Sequence, residues 1–292
     1  MNKIAPEDYA NNQATPPGDF EIKDYLRLDL MPHFMCPGCG HGIALRALIW
    51  AIHELSIEKD NLAIVSGIGC SGRVGAYIDA STFHFTHGRP LAMATGLKLV
   101  RPELEVIVIS GDGDCLAIGG NHLIHACRRN LDITCLMLNN EVYGMTGGQV
   151  SPTTSETMLT TTTTTGNMEP AFDACKLAEA AGAGLVGREV TLQVPTLKNL
   201  IKEGITHDGF SFLEIISDCT EVYGRKNDLG ESSEMILKQK SDLRPEAFYD
   251  TVDQPFRPNK LETGVFVRND RPEYGAAYRA HTRKGNTKGG DK

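Results

Sequence analysis

Three short apolar runs constrain this chain most. LAIVSGIGC (62–70), LEVIVISGDGD (104–114) and ITCLMLNN (133–140) each end in a turn of small or polar residues. Helical patterns lie between them, in RPLAMATGLKLV (89–100) and HLIHACRRN (122–130). Runs that are apolar without alternation suit strands buried on both faces. Strand, glycine turn and helix in repetition predict an α/β fold with a mostly parallel, doubly wound sheet. LVGREV (185–190) and FSFLEIIS (210–217) read as further strands, with helices at EPAFDACKLAEAAGA (169–183) and VPTLKNLIKEG (194–204). Pro170 falls near the first turn of the former. A helix is expected from Gly40, where Ile43, Leu45, Leu48, Ile49 and Ile52 share a face, and the run Thr160–Thr165 is expected in a loop. The chain divides into an irregular N-terminal arm (1–33), a core domain (34–220) and a C-terminal extension (221–292). The extension ends in RKGNTKGGDK, expected to be disordered.

Composition narrows the function classes. A formal charge of −8 disfavours nucleic acid as a partner. No apolar run reaches the ~20 residues of a membrane helix. The polar start, MNKIAPEDYANNQATPPGDF, lacks an apolar signal core, so a cytoplasmic location is expected. In that compartment the eight cysteines read as metal, redox or buried groups rather than disulfides.

Ligands of a doubly wound sheet gather at the carboxyl ends of its strands. GIGC, GDGD and NN all fall there. In GDGD, Gly111 and Gly113 let a ligand approach the backbone, and Asp112 offers a hard carboxylate. A plain turn would look the same. Asn140, 28 positions beyond Asp112, ends the next strand and could share one Mg²⁺ with it. GDG followed by NN resembles the thiamine diphosphate motif. That resemblance implies Mg²⁺ on Asp112, the Asn140 side chain and the main-chain oxygen of Val142, with Gly113 and Asp114 lining the diphosphate.

MCPGCGHG (35–42) pairs Cys36 with Cys39. Zinc, a dithiol couple and an iron–sulfur cluster would each suit the pair. A zinc ribbon wants a second close pair, and a thioredoxin-like site wants a preceding strand; neither is evident. Four ligands could come from Cys36, Cys39, Cys70 and Cys219, and four thiolates suit a 4Fe–4S cluster. A zinc-stabilised, non-catalytic scaffold stays open as the alternative. Cys115, Cys127, Cys135 and Cys175 read as small buried side chains. His41 reads as a packed or capping histidine, and His122 with His125 as helix residues rather than metal ligands.

CPGCGHG, GIGCSGR, HFTHGRP, GDGD, NNEVYGMTGGQ and a late lone cysteine, in that order, resemble the β subunit of the 2-oxoacid:ferredoxin oxidoreductases. The resemblance spans Met35 to Cys219. It implies a thiamine-diphosphate-binding fold carrying thiamine diphosphate, Mg²⁺ and one 4Fe–4S cluster, with coenzyme A as co-substrate. It implies a separate α subunit, ferredoxin as electron partner, and a hetero-oligomer such as (αβ)₂. The implied reaction is CoA-dependent oxidative decarboxylation of a 2-oxoacid, or its reverse. The glutamate that activates thiamine would come from the partner, so this chain would act only with its α subunit. Ile68, Gly69, Cys70, Ser71, His87, Gly113, Asp114, Gly144 and Met145 would surround the cofactor. His87 and Arg73 would be catalytic, and Arg73 and Met145 would meet substrate. A helix-capping role for His87, a surface or phosphate-neutralising role for Arg73 and plain loop packing for Met145 are the alternatives. GCSGR with YGMTGGQ resembles the 2-oxoglutarate branch, with pyruvate or another 2-oxoacid as the alternative substrate.

Overall fold

The computed structural model describes residues 21–242 and 261–287. In chain order its helices and strands are α1 (Gly40–Glu54), β1 (Leu62–Ser66), α2 (Cys70–Val74), β2 (Ser81–His84), α3 (Pro90–Val100), β3 (Glu105–Gly111), α4 (Gly120–Arg129) and β4 (Ile133–Asn139). A small hairpin follows, β5 (Val142–Tyr143) with β6 (Gln149–Val150). Then come α5 (Ala174–Ala180), β7 (Leu185–Val190), α6 (Val194–Thr206), β8 (Phe210–Ile216), α7 (Ser232–Asp242), β9 (Gly264–Arg268) and α8 (Tyr274–Thr287).

Seven strands form one sheet in the order β2-β1-β3-β4-β8-β7-β9. All neighbours are parallel except β9, which runs antiparallel to β7. Along β3, Ile107 and Ile109 point to one face, among Leu48, Ile52, Leu197 and Ile201 of α1 and α6. Val106 and Val108 point to the other, among Leu91, Leu123 and Ala126 of α3 and α4. This period of two places a core on each face and explains why the strands read as unbroken apolar runs.

Local chemistry sets the helix ends. Pro90 opens α3, where its missing N–H costs nothing. Asn130 closes α4 in the left-handed region (φ 53°), and its side-chain oxygen accepts the Phe210 N–H at 2.9 Å. Between α1 and α6, Lys198 Nζ donates to Glu54 at 2.8 Å and lies 5.0 Å above the Trp50 ring.

Three expectations change. The helix expected over 169–183 runs only from Ala174 to Ala180, because Asp173 caps it by accepting the Lys176 N–H at 3.2 Å. Pro170 therefore lies before the helix. In the expected disordered end, residues 283–287 belong to α8, whereas 288–292 lie outside the described residues. Finally, β9, from the segment after residue 221, supplies the sheet edge beside β7. The first 20 residues of the expected arm also lie outside the described residues. The threonine run forms no helix or strand, as expected; Thr160 Oγ1 accepts the Thr163 N–H at 3.0 Å. Among the described residues no helix is long and apolar enough to cross a membrane.

Glu189 on β7 is buried, and burial pushes its carboxyl up to about 7. The folded chain thus holds a proton that the unfolded chain has released above its ordinary value of 4.5. The stability this group contributes is full below that value and is lost as pH rises through about 7. Glu189→Gln should therefore match the parent near pH 4.5 and melt several degrees higher at pH 8, followed by circular dichroism. Equal melting points at pH 8 would contradict this.

Candidate active site

A cavity of about 230 Å³ opens where β1, β3 and β4 end. Its walls include Ile68, Gly69, Cys70 and Ser71 from the first loop and Asp112, Gly113 and Asp114 from the second. Asn140, Val142, Gly144 and Met145 come from the third, and His87 from the turn before α3. The sheet thus brings together every residue expected around the cofactor and its Mg²⁺. Arg73 does not line the cavity. It sits exposed on α2, close enough to His84 that its charge adds to burial in lowering that histidine's pKa.

Asp112 is 3 % exposed. Burial raises its pKa, and hydrogen bonds from Ser151, Thr153 and the Gly113 main chain pull it back. The Ser151 and Thr153 hydroxyls lie 2.6 and 2.7 Å from Oδ2. These donors are neutral, so a divalent cation would supply the positive charge that a buried carboxylate lacks. Asn140 and Val142 flank Glu141, which is held at φ +60°. Asn139 Oδ1 accepts the Glu141 N–H at 3.1 Å and closes this turn. Side chain and carbonyl donors on two adjacent strand ends fit a hard, oxygen-seeking ion. Ser151 and Thr153 escaped the sequence reading because they lie 39 and 41 positions beyond Asp112, in a stretch without periodicity.

Asp114 lines the cavity, and its oxygens are also bound by the protein. Oδ1 faces His87 Nδ1 and the Gly88 N–H, each at 2.7 Å, and the Ile68 N–H at 3.3 Å. Oδ2 accepts the Ser110 hydroxyl at 2.5 Å. Asp114 therefore ties three loops together. The bond to a carboxylate fixes the proton on His87 Nδ1. His87 does not cap α3. It meets Tyr143 edge to face at 5.9 Å, and Tyr143 Oη donates to the Gly113 carbonyl at 3.0 Å.

Cys36 is exposed, and Cys39, Cys70 and Cys219 are half-buried. The Cys39 thiol is pushed up to about 12 by burial, opposed by the His41 main-chain N–H and reinforced by Cys219, Cys70 and Cys36. Burial, then Cys219 and Cys36, pushes Cys70 up to about 11, while the Met145 N–H opposes. The Tyr223 and Val222 N–H groups reach the Cys219 sulfur. A Cβ on Gly144 would lie 3.4 Å from Cys219 Sγ and 3.9 Å from Cys70 Sγ. The four thiols thus face one region, with main-chain N–H groups aimed at three of them. Among the described residues no three His, Cys, Asp or Glu side chains form a group that could hold one metal ion. Cys115, Cys127, Cys135 and Cys175 are buried, as expected.

His41 also lines the cavity. It is 1 % exposed, neither ring nitrogen has a hydrogen-bond partner, and burial lowers its pKa to about 4. It is a neutral imidazole between the cavity and the Cys39 turn.

Comparison with known proteins follows the same lines. The model of the thiamine pyrophosphate enzyme C-terminal TPP-binding domain matches residues 67–215. The 2-oxoglutarate synthase subunit KorB of Methanocaldococcus jannaschii is 45 % identical over 86 % of this chain and 93 % of its own. That of Archaeoglobus fulgidus is 51 % identical over 68 % of this chain and 74 % of its own. Among solved structures, a 2-oxoglutarate:ferredoxin oxidoreductase from Magnetococcus marinus superposes with a TM-score of 0.80 at 31 % identity, covering 92 % of each chain. That structure holds 2-oxoglutarate, coenzyme A and succinyl-CoA.

The Asp114 tie can be broken without touching Asp114. A Cβ on Gly67 would lie 1.8 Å from Asp114 Oδ2, whereas one on Gly96 in α3 meets nothing within 4 Å. Gly67→Ala is expected to cost about 1–3 kcal/mol in urea unfolding. Gly96→Ala should be neutral or stabilising by up to ~1 kcal/mol. Equal stability of the two variants would show that Asp114 does not hold these loops together.

Proposed function

The chain belongs to the β subunits of the 2-oxoglutarate:ferredoxin oxidoreductases, thiamine-dependent enzymes, and we propose how its residues divide the work. The reaction is the CoA-dependent conversion of 2-oxoglutarate to succinyl-CoA and CO₂, with two electrons leaving for ferredoxin, or the reverse carboxylation. Thiamine diphosphate, when bound, supplies the carbanion chemistry for decarboxylation, and a 4Fe–4S cluster takes up electrons singly.

One observation carries this reading. Cys70 both lines the cavity and faces Cys36, Cys39 and Cys219. A cofactor in the cavity and a cluster on those thiols would therefore share a wall. Asp112, Asn140 and the Val142 carbonyl hold Mg²⁺, with Gly113 beside the diphosphate. Main-chain N–H groups stabilise thiolate sulfur, as a cluster requires.

Ile68, Gly69, Ser71 and Gly144 shape the walls. His87, its Nδ1 fixed by Asp114, presents its other nitrogen as an acceptor, suited to orienting a proton near the cofactor. Met145 packs against the carbon chain of the substrate. Arg73, just outside the cavity, clamps the distal carboxylate. The subunit name implies a partner chain, and we assign to that α subunit the thiamine-activating glutamate, in an (αβ)₂ assembly in the cytoplasm.

Asp112→Ala in the complex with the α subunit should abolish Mg²⁺-dependent thiamine diphosphate binding by calorimetry. Retained tight binding would sink the magnesium assignment. Arg73→Gln should lower kcat/KM for 2-oxoglutarate roughly 10- to 100-fold more than for pyruvate, as loss of a charge-assisted contact implies. Equal losses on both substrates would take Arg73 out of specificity.

A further inference from the structure

Outside the cavity a line of buried polar side chains runs from the surface to the Mg²⁺ end of the site. We propose that Glu214, held by Arg188, is a positioning residue for that end, acting through the side chain of Asn139. The inference rests on the Mg²⁺ site proposed above and adds its support.

Arg188 on β7 stands opposite Glu214 on β8 in the parallel register. Its Nε donates to Glu214 Oε2 at 2.6 Å, and its second arm reaches Asp173 Oδ1 at 2.9 Å. The other Glu214 oxygen, Oε1, accepts from Asn139 Nδ2 at 2.7 Å. Asn139 sits on the next strand, two register positions along, so both side chains share one face of the sheet.

A carboxylate only accepts hydrogen bonds. Glu214 therefore fixes which way the Asn139 amide faces. The –NH₂ turns to Glu214, and Oδ1 is left for the other side. There it accepts the Glu141 N–H at 3.1 Å and lies 2.9 Å from Thr153 Oγ1. The first contact closes the turn that carries Asn140 and Val142, whose central residue holds a backbone conformation L residues adopt rarely. The second touches the hydroxyl that lies 2.7 Å from Asp112 Oδ2. One amide thus braces both arms of the ion site. With a single proton, Thr153 can serve Asp112 or Asn139 but not both at once. A cation on Asp112 would free it for Asn139 and tighten the brace.

Stability is a weak explanation of the Arg188–Glu214 pair. The side chains of Arg188 and Glu214 are 11 % and 3 % exposed, and taking two charges out of water offsets much of their attraction. Well-packed apolar replacements of such pairs are commonly neutral or stabilising. Neither residue lines the cavity.

This difference supplies the test. The α–β complex is prepared as wild type, as the double variant Arg188→Met/Glu214→Leu, and as Asn139→Leu. Thiamine diphosphate binding is titrated with Mg²⁺ by calorimetry, and melting is recorded in parallel. Removing both charges together should leave the melting point within a few degrees. Both variants should need roughly 10- to 100-fold more Mg²⁺ for half-maximal binding, as loss of an outer-shell partner does. kcat at saturating Mg²⁺ should fall far less. A wild-type Mg²⁺ requirement in either variant, while Asp112→Ala abolishes binding, would overturn the role of Glu214 and leave the ion site standing. Failure of the wild-type complex to bind Mg²⁺ and thiamine diphosphate would overturn the site and its support together.

Discussion

The carboxylate of Asp114 is the constraint on which the site depends. It is 2 % exposed, yet it accepts from Ser110, Ile68, Gly88 and His87, which come from three separate segments. A buried carboxylate left without such donors would be costly, so the donors and the carboxylate hold each other in place. Gly67 and Gly88 are part of the same arrangement. The first has no room for a side chain beside Asp114, and the second adopts φ +72° next to His87. With these loops tied, the cavity is preformed and can receive a large anionic cofactor without first ordering its walls.

From that tie the chemistry divides in two directions. Towards β4 and β8, Asp112 and the Asn140 turn offer oxygen donors to a hard cation, supported from behind by Ser151, Thr153 and Asn139. Towards α1, Cys70 turns to the thiols of Cys36, Cys39 and Cys219, and His41 stands between as a buried, neutral imidazole. A metal cluster bound by these thiols would have to displace their protons, which would link its loading to pH. The two halves meet at Cys70.

The sheet was legible in the sequence because strands buried on both faces are written as apolar runs, and their ends as glycine, aspartate and asparagine. The cavity followed from it, since GIGC, GDGD and NN must converge if the strands are parallel neighbours. What was not legible depends on contacts between distant segments. Ser151 and Thr153 carry no spacing that ties them to Asp112. Glu214 reads as one charge inside an apolar strand, and only its register beside Asn139 gives it meaning. The helix expected from residue 169 is shortened by the Asp173 cap, a local bond that outweighs the propensity of the residues before it. β9 is short and at an edge, so its alternation is weak. Arg73 sits within the right motif but on the exposed side of a one-turn helix, a direction that sequence spacing alone does not fix.

Metal analysis decides whether the cavity and a cluster share a wall at Cys70. The chain is purified with its α subunit without oxygen, and iron, zinc and acid-labile sulfide are measured. About four irons and four sulfides per chain are expected, with no stoichiometric zinc, and both should be lost in Cys70→Ala. Zinc without sulfide would contradict a shared wall, because MCPGCGHG would then hold a structural ion and the electron path beside the cavity would be gone.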